Sequence, residues 1–119
     1  MAIELSRKNG GEVLVVRIEG KVSPRDYSRC MPEIERLGEE DEDIRMRVEM
    51  ADFEGWETTS SWEHMINKEP AVRNVRKIAF VGGREWRNWM SGFCRPFTNA
   101  EVRFFENEER DRAVRWLAA

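Results

Sequence analysis

The sequence predicts an α/β domain in which a mostly parallel sheet is flanked by helices. Short β-branched runs alternate with amphipathic segments in the order β-β-α-β-α-β-α-β-α. The 119 residues, 40% of them hydrophobic, suffice for one core. No repeat, low-complexity stretch or linker divides the chain, so we expect a single domain over residues 1–119.

The first two strands are predicted to form an antiparallel pair. Residues 3–5 are a weak strand, and Asn9-Gly10-Gly11 is a turn signal whose residues tolerate positive φ. Residues 13–18, VLVVRI, form a nearly continuous apolar run. Such a run is typical of a strand that is covered on both faces.

A first helix is predicted to begin after Ser23, which can cap free amides, with Pro24 in the first helical position and Asp26 three residues after the cap. Pro32 favours a kink in this helix, and Gly38 with the acidic run after it ends the helix. Its apolar stripe consists of Tyr27, Met31, Ile34 and Leu37.

The third strand, residues 44–50, alternates apolar and charged side chains, so only one of its faces is apolar. We expect it near a sheet edge, or with long arginine stems covering its second side. Residues 52–56 are predicted to form a loop. A second helix follows, with caps among residues 58–61 and with Trp62, Met65 and Ile66 on one face.

The second half of the chain repeats the alternation. Residues 77–81 are a buried strand ended by Gly82-Gly83, and a third helix follows with Trp86, Trp89, Met90 and Phe93 at helical spacing. Residues 102–105 are the last strand. Asn107 is expected to cap the last helix, whose apolar edge is Ala113, Val114 and Leu117 with Trp116 alongside.

Charge and hydropathy exclude several classes of protein. The 20 basic and 23 acidic residues leave a net charge of −3, which argues against a nucleic-acid partner. No apolar run approaches the roughly 18 residues of a membrane span. Glu4 lies where a secretory signal needs its apolar stretch. We therefore expect a cytoplasmic protein.

The residues also limit the chemistry. Cys30 and Cys94 are far apart and lack metal-ligand spacing, so we interpret them as thiols rather than a disulfide. His64 is the only histidine. No phosphate-binding glycine loop, metal cluster or catalytic triad is marked out. We expect no cofactor, no metal and no enzymatic activity.

The order of elements and several strings together resemble the SpoIIAA-like family of the STAS superfamily, from about Ile3 to Leu117. The strings are GKVSPRDY, FEGWETTSSWEHM, KIAFVGGREWRNWM and PFTNAEVRFFENEERDRAVRWL. The resemblance implies a four- or five-stranded mixed sheet flanked by about four helices. It also implies small bacterial proteins that bind ligands or associate with membranes rather than turn over substrates.

One departure from the wider superfamily bears on function. Anti-sigma-factor antagonists carry Asp-Ser-Ser/Thr-Gly after the third strand, and a kinase phosphorylates its serine. Here the junction from Asp52 to Ser61 lacks that tetrad. Thr58, Thr59, Ser60 and Ser61 are first of all helix caps, with a phosphorylated hydroxyl or a bound anion at the helix start as the alternative.

Aromatic and methionine side chains concentrate on the second and third predicted helices and beside them. The set is Trp56, Trp62, Met65, Trp86, Trp89, Met90, Phe93 and Phe97. Helical spacing is typical of core residues, but aliphatic strands leave a small domain little room for so many indoles. Part of the set is therefore expected to line a groove, with Arg87, Arg84 and Arg95 beside an anionic group or simply solvated.

The predicted function is a non-catalytic module that accommodates a small amphipathic or lipid-like ligand between the second and third predicted helices. An open apolar groove needs a cover, so a membrane surface, at the inner membrane face, or a homodimer is expected. The alternative is a regulatory protein-interaction domain, resembling the antagonists, that contacts an unknown protein partner through the start of the second helix.

Overall fold

The structure, a computed structural model, describes residues 3–8, 13–40, 44–56, 74–84, 94, 97 and 99–119. Five strands and two helices lie within these ranges, together with a 3-10 turn at Asn107–Glu109. They are β1 (Ile3–Lys8), β2 (Val13–Val22), α1 (Pro24–Glu40), β3 (Ile44–Trp56), β4 (Val75–Val81), β5 (Glu101–Phe105) and α2 (Arg110–Ala118).

The strands form one five-stranded mixed sheet in the order β1-β2-β3-β4-β5. β1 pairs with β2 antiparallel, and all other neighbours are parallel. The antiparallel first pair and the mostly parallel sheet are confirmed, and all five predicted strands are present in the described part of the chain. Of the four predicted helices, the first and the last lie in the described ranges. The second and third fall outside them.

One face of the sheet packs against α1, and we call it the α1 face. Alternate residues of the parallel strands point into this core, as the period of two in a strand requires. The α1 side chains Tyr27, Met31 and Ile34 are fully buried against them. The strand residues of this core include Leu14, Val16, Ile18, Met46, Val48, Ile78 and Phe80.

The opposite face packs against α2, and we call it the α2 face. Its core is smaller and contains Val13, Val15, Ala79, Val81 and Phe105 from the sheet, with Ala113 and Leu117 from α2. β2 therefore has apolar residues buried on both faces, as its sequence predicts. The expectation for Val114 is wrong, because its side chain is 38% exposed on the solvent side of α2.

The start of α1 confirms the predicted cap. The Asp26 amide donates to the Ser23 hydroxyl at 3.1 Å, and the Ser23 amide donates to the Asp26 carboxylate at 3.0 Å. This reciprocal pair satisfies two amides that the helix leaves free. α1 then continues through Pro32 and ends at Glu40, within the acidic run that was predicted to end it.

β3 differs most from its prediction. It is the central strand rather than an edge strand, and it includes residues 52–56, which were predicted to be a loop. The cause is tertiary pairing, since β2 hydrogen-bonds alongside β3 as far as the pair Val22–Trp56. Its polar second side is covered by α2, in agreement with the alternative in which long side chains occupy that side. Arg47 and Glu49 are only 11% and 18% exposed there.

The cap before α2 also differs from its prediction. A 3-10 turn at Asn107–Glu109 precedes the helix, and the residue before that turn is Glu106 rather than Asn107. The Glu106 amide donates to the Glu109 carboxylate at 3.1 Å. The Glu109 carboxylate thus satisfies the Glu106 amide, as in a capping box, and the prediction of Asn107 as the cap is wrong.

Both cysteines are free thiols, as predicted. Cys30 is buried in α1, and its thiol donates to the Tyr27 carbonyl at 3.2 Å. Cys94 is partly buried against the α1-face core. Burial raises the pKa of the Cys94 thiol from 9.0 to about 12, because the thiolate loses solvation there.

Gly82→Ala tests the close approach of β4 to β3. A Cβ at this position would lie 2.9 Å from the Met50 Cβ, and a change of Met50 rotamer cannot relieve that contact. We expect a loss of about 1–3 kcal/mol in the free energy of unfolding, measured by urea titration. The exposed Ser6→Ala on β1 is the control and should change stability by less than about 0.5 kcal/mol. A Gly82→Ala protein as stable as the control would contradict the packing.

Ser23→Ala tests the cap of α1. Losing the hydroxyl acceptor should cost about 1 kcal/mol of unfolding free energy, since the Asp26 amide then lacks its partner. Ser23→Asp restores an acceptor and should recover most of that loss. A Ser23→Ala protein as stable as the unmodified protein would show that the cap contributes nothing.

Cys94 should react slowly in the folded protein. A rise of three pKa units leaves about a thousandfold less thiolate at pH 8 than in the unfolded chain. We expect iodoacetamide to modify Cys94 readily only in urea, as detected by mass spectrometry.

Burial of the neutral Cys94 thiol also favours the folded state, so this contribution to stability is complete below pH 9.0 and falls as pH rises towards 12. Cys94→Ser should flatten that decline, whereas Cys94 alkylation at equal rates with and without urea would contradict the burial.

Candidate functional site

The candidate site is the edge of the sheet at which the parallel strands end. β2, β3, β4 and β5 run in the same direction, so their carboxyl ends meet at this edge. We call it the carboxyl edge. In open α/β sheets, ligands bind most often outside such an edge. The described residues there are 19–22, 52–56, 82–84 and 106.

β3 projects beyond β4 at the carboxyl edge. The last pair between them is Glu49–Val81, whereas β3 continues to Trp56. Over that extension it pairs with the end of β2, as far as Val22–Trp56. The edge therefore has a two-stranded ribbon, residues 19–22 with 52–56, standing beyond the neighbouring strands.

Two irregularities in register shape the ribbon. Between the pairs Arg17–Glu49 and Glu19–Asp52, β2 advances two residues while β3 advances three. Between Gly20–Phe53 and Lys21–Gly55, β3 again contains one extra residue. Such bulges bend a strand and redirect its side chains, and they are frequent beside binding sites.

Two glycines provide backbone conformations that other residues adopt at a cost. Gly20 has φ of 65° and Gly55 has φ of 116°, both in the region that a Cβ disfavours. A Cβ on Gly20 would make only an ordinary van der Waals contact with the Glu54 carboxylate, at 3.8 Å, so the positive φ rather than a lack of space favours glycine there. The sequence strings GKV and FEGW thus contain the two glycines with positive φ in the bulged ribbon.

The ribbon has an apolar side and a polar side. Val22 and Phe53 are buried in the α1-face core, at 0% and 5% exposure. Lys21, Asp52 and Glu54 are exposed. The ribbon is therefore anchored through one side, and its other side presents charge to solvent.

The described charges at this edge form exposed pairs. Arg17 contacts Glu19 at 3.0 Å and Asp52 at 3.5 Å, and all three side chains are more than 40% exposed. Solvent and salt screen such pairs, so they contribute little to stability. Farther along the edge, Arg84 pairs with Glu106 and connects the end of β4 to the residue after β5.

The structure places two of the predicted ligand-binding residues. Trp56 is the last residue of β3, at the tip of the ribbon, although its side chain lies outside the described part. Phe97 is 4% exposed and packs in the α1-face core. The remaining predicted residues lie outside the described ranges: Trp62, Met65, Trp86, Trp89, Met90, Phe93 and Arg87, together with Thr58, Thr59, Ser60 and Ser61.

The one tryptophan with a described side chain, Trp116, lies elsewhere. It packs against Phe105 on the α2 face with 5.9 Å between ring centroids. The Lys77 ammonium and the Arg103 guanidinium lie 5.1 and 5.3 Å from its ring centroid. The sequence does not predict a role for these cations, because their proximity to Trp116 depends on how α2 crosses the sheet.

Within the ranges that the structure describes, no group of three or more His, Cys, Asp or Glu side chains is arranged to hold a metal ion. Neither described helix has both the length and the apolar composition needed to cross a bilayer.

Comparison with known proteins supports the architecture. A solved structure with a SpoIIAA-like fold, an uncharacterized protein of the DUF3478 family from Shewanella loihica PV-4, is similar to this chain with a TM-score of 0.65. The two are 23% identical, and the match covers 98% of this chain and 92% of the other. No curated protein matches the chain. The family model described as SpoIIAA-like matches residues 13–118, which include β2 to β5 and both described helices. The chain therefore belongs to the SpoIIAA-like family.

Proposed function

We propose that this protein is a non-catalytic binding module that accommodates a small amphipathic or lipid-like molecule at the carboxyl edge. The ligand lies between residues 57–73, which contain Trp62 and Met65, and residues 85–93, which contain Trp86, Trp89, Met90 and Phe93. One observation carries the proposal: β3 and β4 are adjacent and parallel, so the two segments leave the sheet from neighbouring strand ends, at Trp56 and Arg84.

The composition of the described core supports an apolar site outside it. The α1-face core is filled by aliphatic, methionine, phenylalanine and tyrosine side chains, and no described tryptophan belongs to it. The chain has five tryptophans, and the described ring of Trp116 is on the other face. Indole rings combine an apolar body with one N–H donor, which suits a ligand with an apolar chain and a polar head.

The polar head of the ligand is expected to be anionic. Arg87 lies within residues 85–93, and Arg84 and Arg95 flank them. Arg84 is engaged by Glu106, whereas Arg87 lies between Trp86 and Trp89 in the sequence, so Arg87 is the proposed contact for a carboxylate or phosphate. In the absence of ligand, a membrane surface or a second copy of the chain covers the apolar groove.

A second candidate is a regulatory protein-interaction domain, and the projecting ribbon favours it. Trp56 ends β3 at the ribbon tip, beyond the end of β4, and residues 57–61 follow it in the sequence. The polar side of the ribbon, with Asp52 and Glu54, would take part in that contact. The superfamily's phosphorylation tetrad is absent from this junction, so the contact would not depend on that switch.

Tryptophan fluorescence tests the ligand proposal. We expect emission to shift to shorter wavelength when oleate or phosphatidylglycerol vesicles are added, because indoles enter an apolar medium. Oleate alone producing the shift identifies a single-chain ligand, and vesicles alone identify a membrane surface. Phosphatidylcholine vesicles test whether negative charge is needed, and Arg87→Gln should weaken binding of the anionic probes.

Matched tryptophan variants locate the response. Trp116→Phe should retain the shift, since Trp116 is on the α2 face, whereas Trp86→Phe with Trp89→Phe should lose most of it. A shift that disappears only in Trp116→Phe would overturn the proposed location. No shift with any probe would overturn the ligand proposal. A stable complex with a purified protein partner that Thr58→Glu weakens would then favour the second candidate.

A further inference from the structure

α2 buries two of its side chains against the sheet. Of its nine residues, only Ala113 and Leu117 are buried, and Trp116 is half-buried beside them. Helices of this length are not stable in isolation, so contact with the sheet must hold α2 in place. The position of α2 therefore depends on its other contacts with the sheet.

The beginning of α2 is held to β3 by a shared carboxylate. Glu49 accepts from the Arg47 Nε at 2.9 Å and from the Arg110 Nη2 at 2.8 Å. The side chains of Arg47 and Glu49 are 11% and 18% exposed, whereas that of Arg110, on the surface of α2, is 56% exposed. Glu49 is thus a mostly covered acid that joins the central strand to the first turn of the helix.

The end of α2 is held by two cations from the sheet. Arg45 of β3 donates to the Leu117 carbonyl. The Lys77 ammonium of β4 donates to the Trp116 carbonyl at 3.0 Å and to the backbone oxygen of Ala119 at 3.4 Å. The last carbonyls of a helix lack internal donors and carry partial negative charge, so cations are favoured there.

We propose that α2 is a displaceable cover that opens as a unit while the sheet remains paired, and that these charged contacts keep it closed. Opening uncovers an apolar strip on the α2 face that is otherwise fully covered. Its members are Val13, Val15, Ala79, Val81 and Phe105. This device is separate from the carboxyl edge and does not depend on the proposed ligand.

Hydrogen exchange of the full chain, read by mass spectrometry, tests this cover. The α2 amides of residues 110–118 are compared with those of β4, residues 75–81. Arg110→Gln removes the contact with Glu49, whereas Arg112→Gln removes the same charge from an arginine whose described pair, at 2.8 Å, is Glu109 in the preceding turn. We expect Arg110→Gln to speed α2 exchange by at least about fivefold and Arg112→Gln by less than about twofold. β4 exchange should change in neither variant.

A salt series on the unmodified protein gives an independent result if Arg110→Gln fails to fold. Raising ionic strength from about 0.05 to about 0.5 M shortens the screening length, so α2 exchange should accelerate relative to β4. Lys77→Met should accelerate it as well, since it removes two donors at the helix end. The proposal is overturned if α2 and β4 exchange at one common rate, if salt leaves their ratio unchanged, or if the two arginine variants behave alike.

Discussion

The parallel pairing of β2 with β3 is the contact on which the rest of the structure depends. It requires the chain to cross over between these strands, and α1 is that crossover, packed on the α1 face. It makes β3 the central strand, flanked by β4 on its other side. It also continues past the end of β4, which creates the ribbon at the carboxyl edge. Both the core and the candidate site follow from this one register.

β3 separates two kinds of stabilisation. Towards α1 it presents Met46, Val48 and Met50, all almost fully buried in an apolar core. Towards α2 it presents Arg45, Arg47 and Glu49, which hold a short helix by charge and hydrogen bonds. Apolar burial is insensitive to salt concentrations that screen charged contacts, so the two faces respond differently to solution conditions. The two faces of this one strand thus hold α1 by apolar burial and α2 by contacts that salt weakens.

Local signals in the sequence predicted the fold well where the structure depends on local contacts. The Ser23–Asp26 cap and the two-sided apolar run of β2 were read directly from residue type and spacing. Residues 52–56 were missed because Asp, Glu and Gly disfavour strands, and pairing with β2 overrides that preference. The cap at Glu106 was not predicted, because Asn107 is the more usual residue type for a cap. The hydrogen bond observed joins the Glu106 amide to the Glu109 carboxylate.

The candidate site was predictable only in outline. Adjacent parallel strand ends follow from the alternation of strands and helices, so its position at the carboxyl edge could be inferred. The core location of Phe97 could not be inferred. This residue lies after the predicted third helix and before a strand, where residue spacing does not indicate which side chains face the core. The contacts of Arg45 and Lys77 with the end of α2 also escaped sequence reasoning. Their partners are backbone oxygens more than thirty residues away, which no side-chain pattern encodes.

The first bulge in β3 has a consequence for how homologous chains can vary. It absorbs one residue between Met50 and Asp52, and the side chains after it still alternate, with Asp52 exposed and Phe53 buried. Deletion of that one residue would leave a regular strand with the same faces. A chain that lacks this residue is therefore compatible with an intact core, and the deletion would change how far the strand tip reaches from the body of the domain.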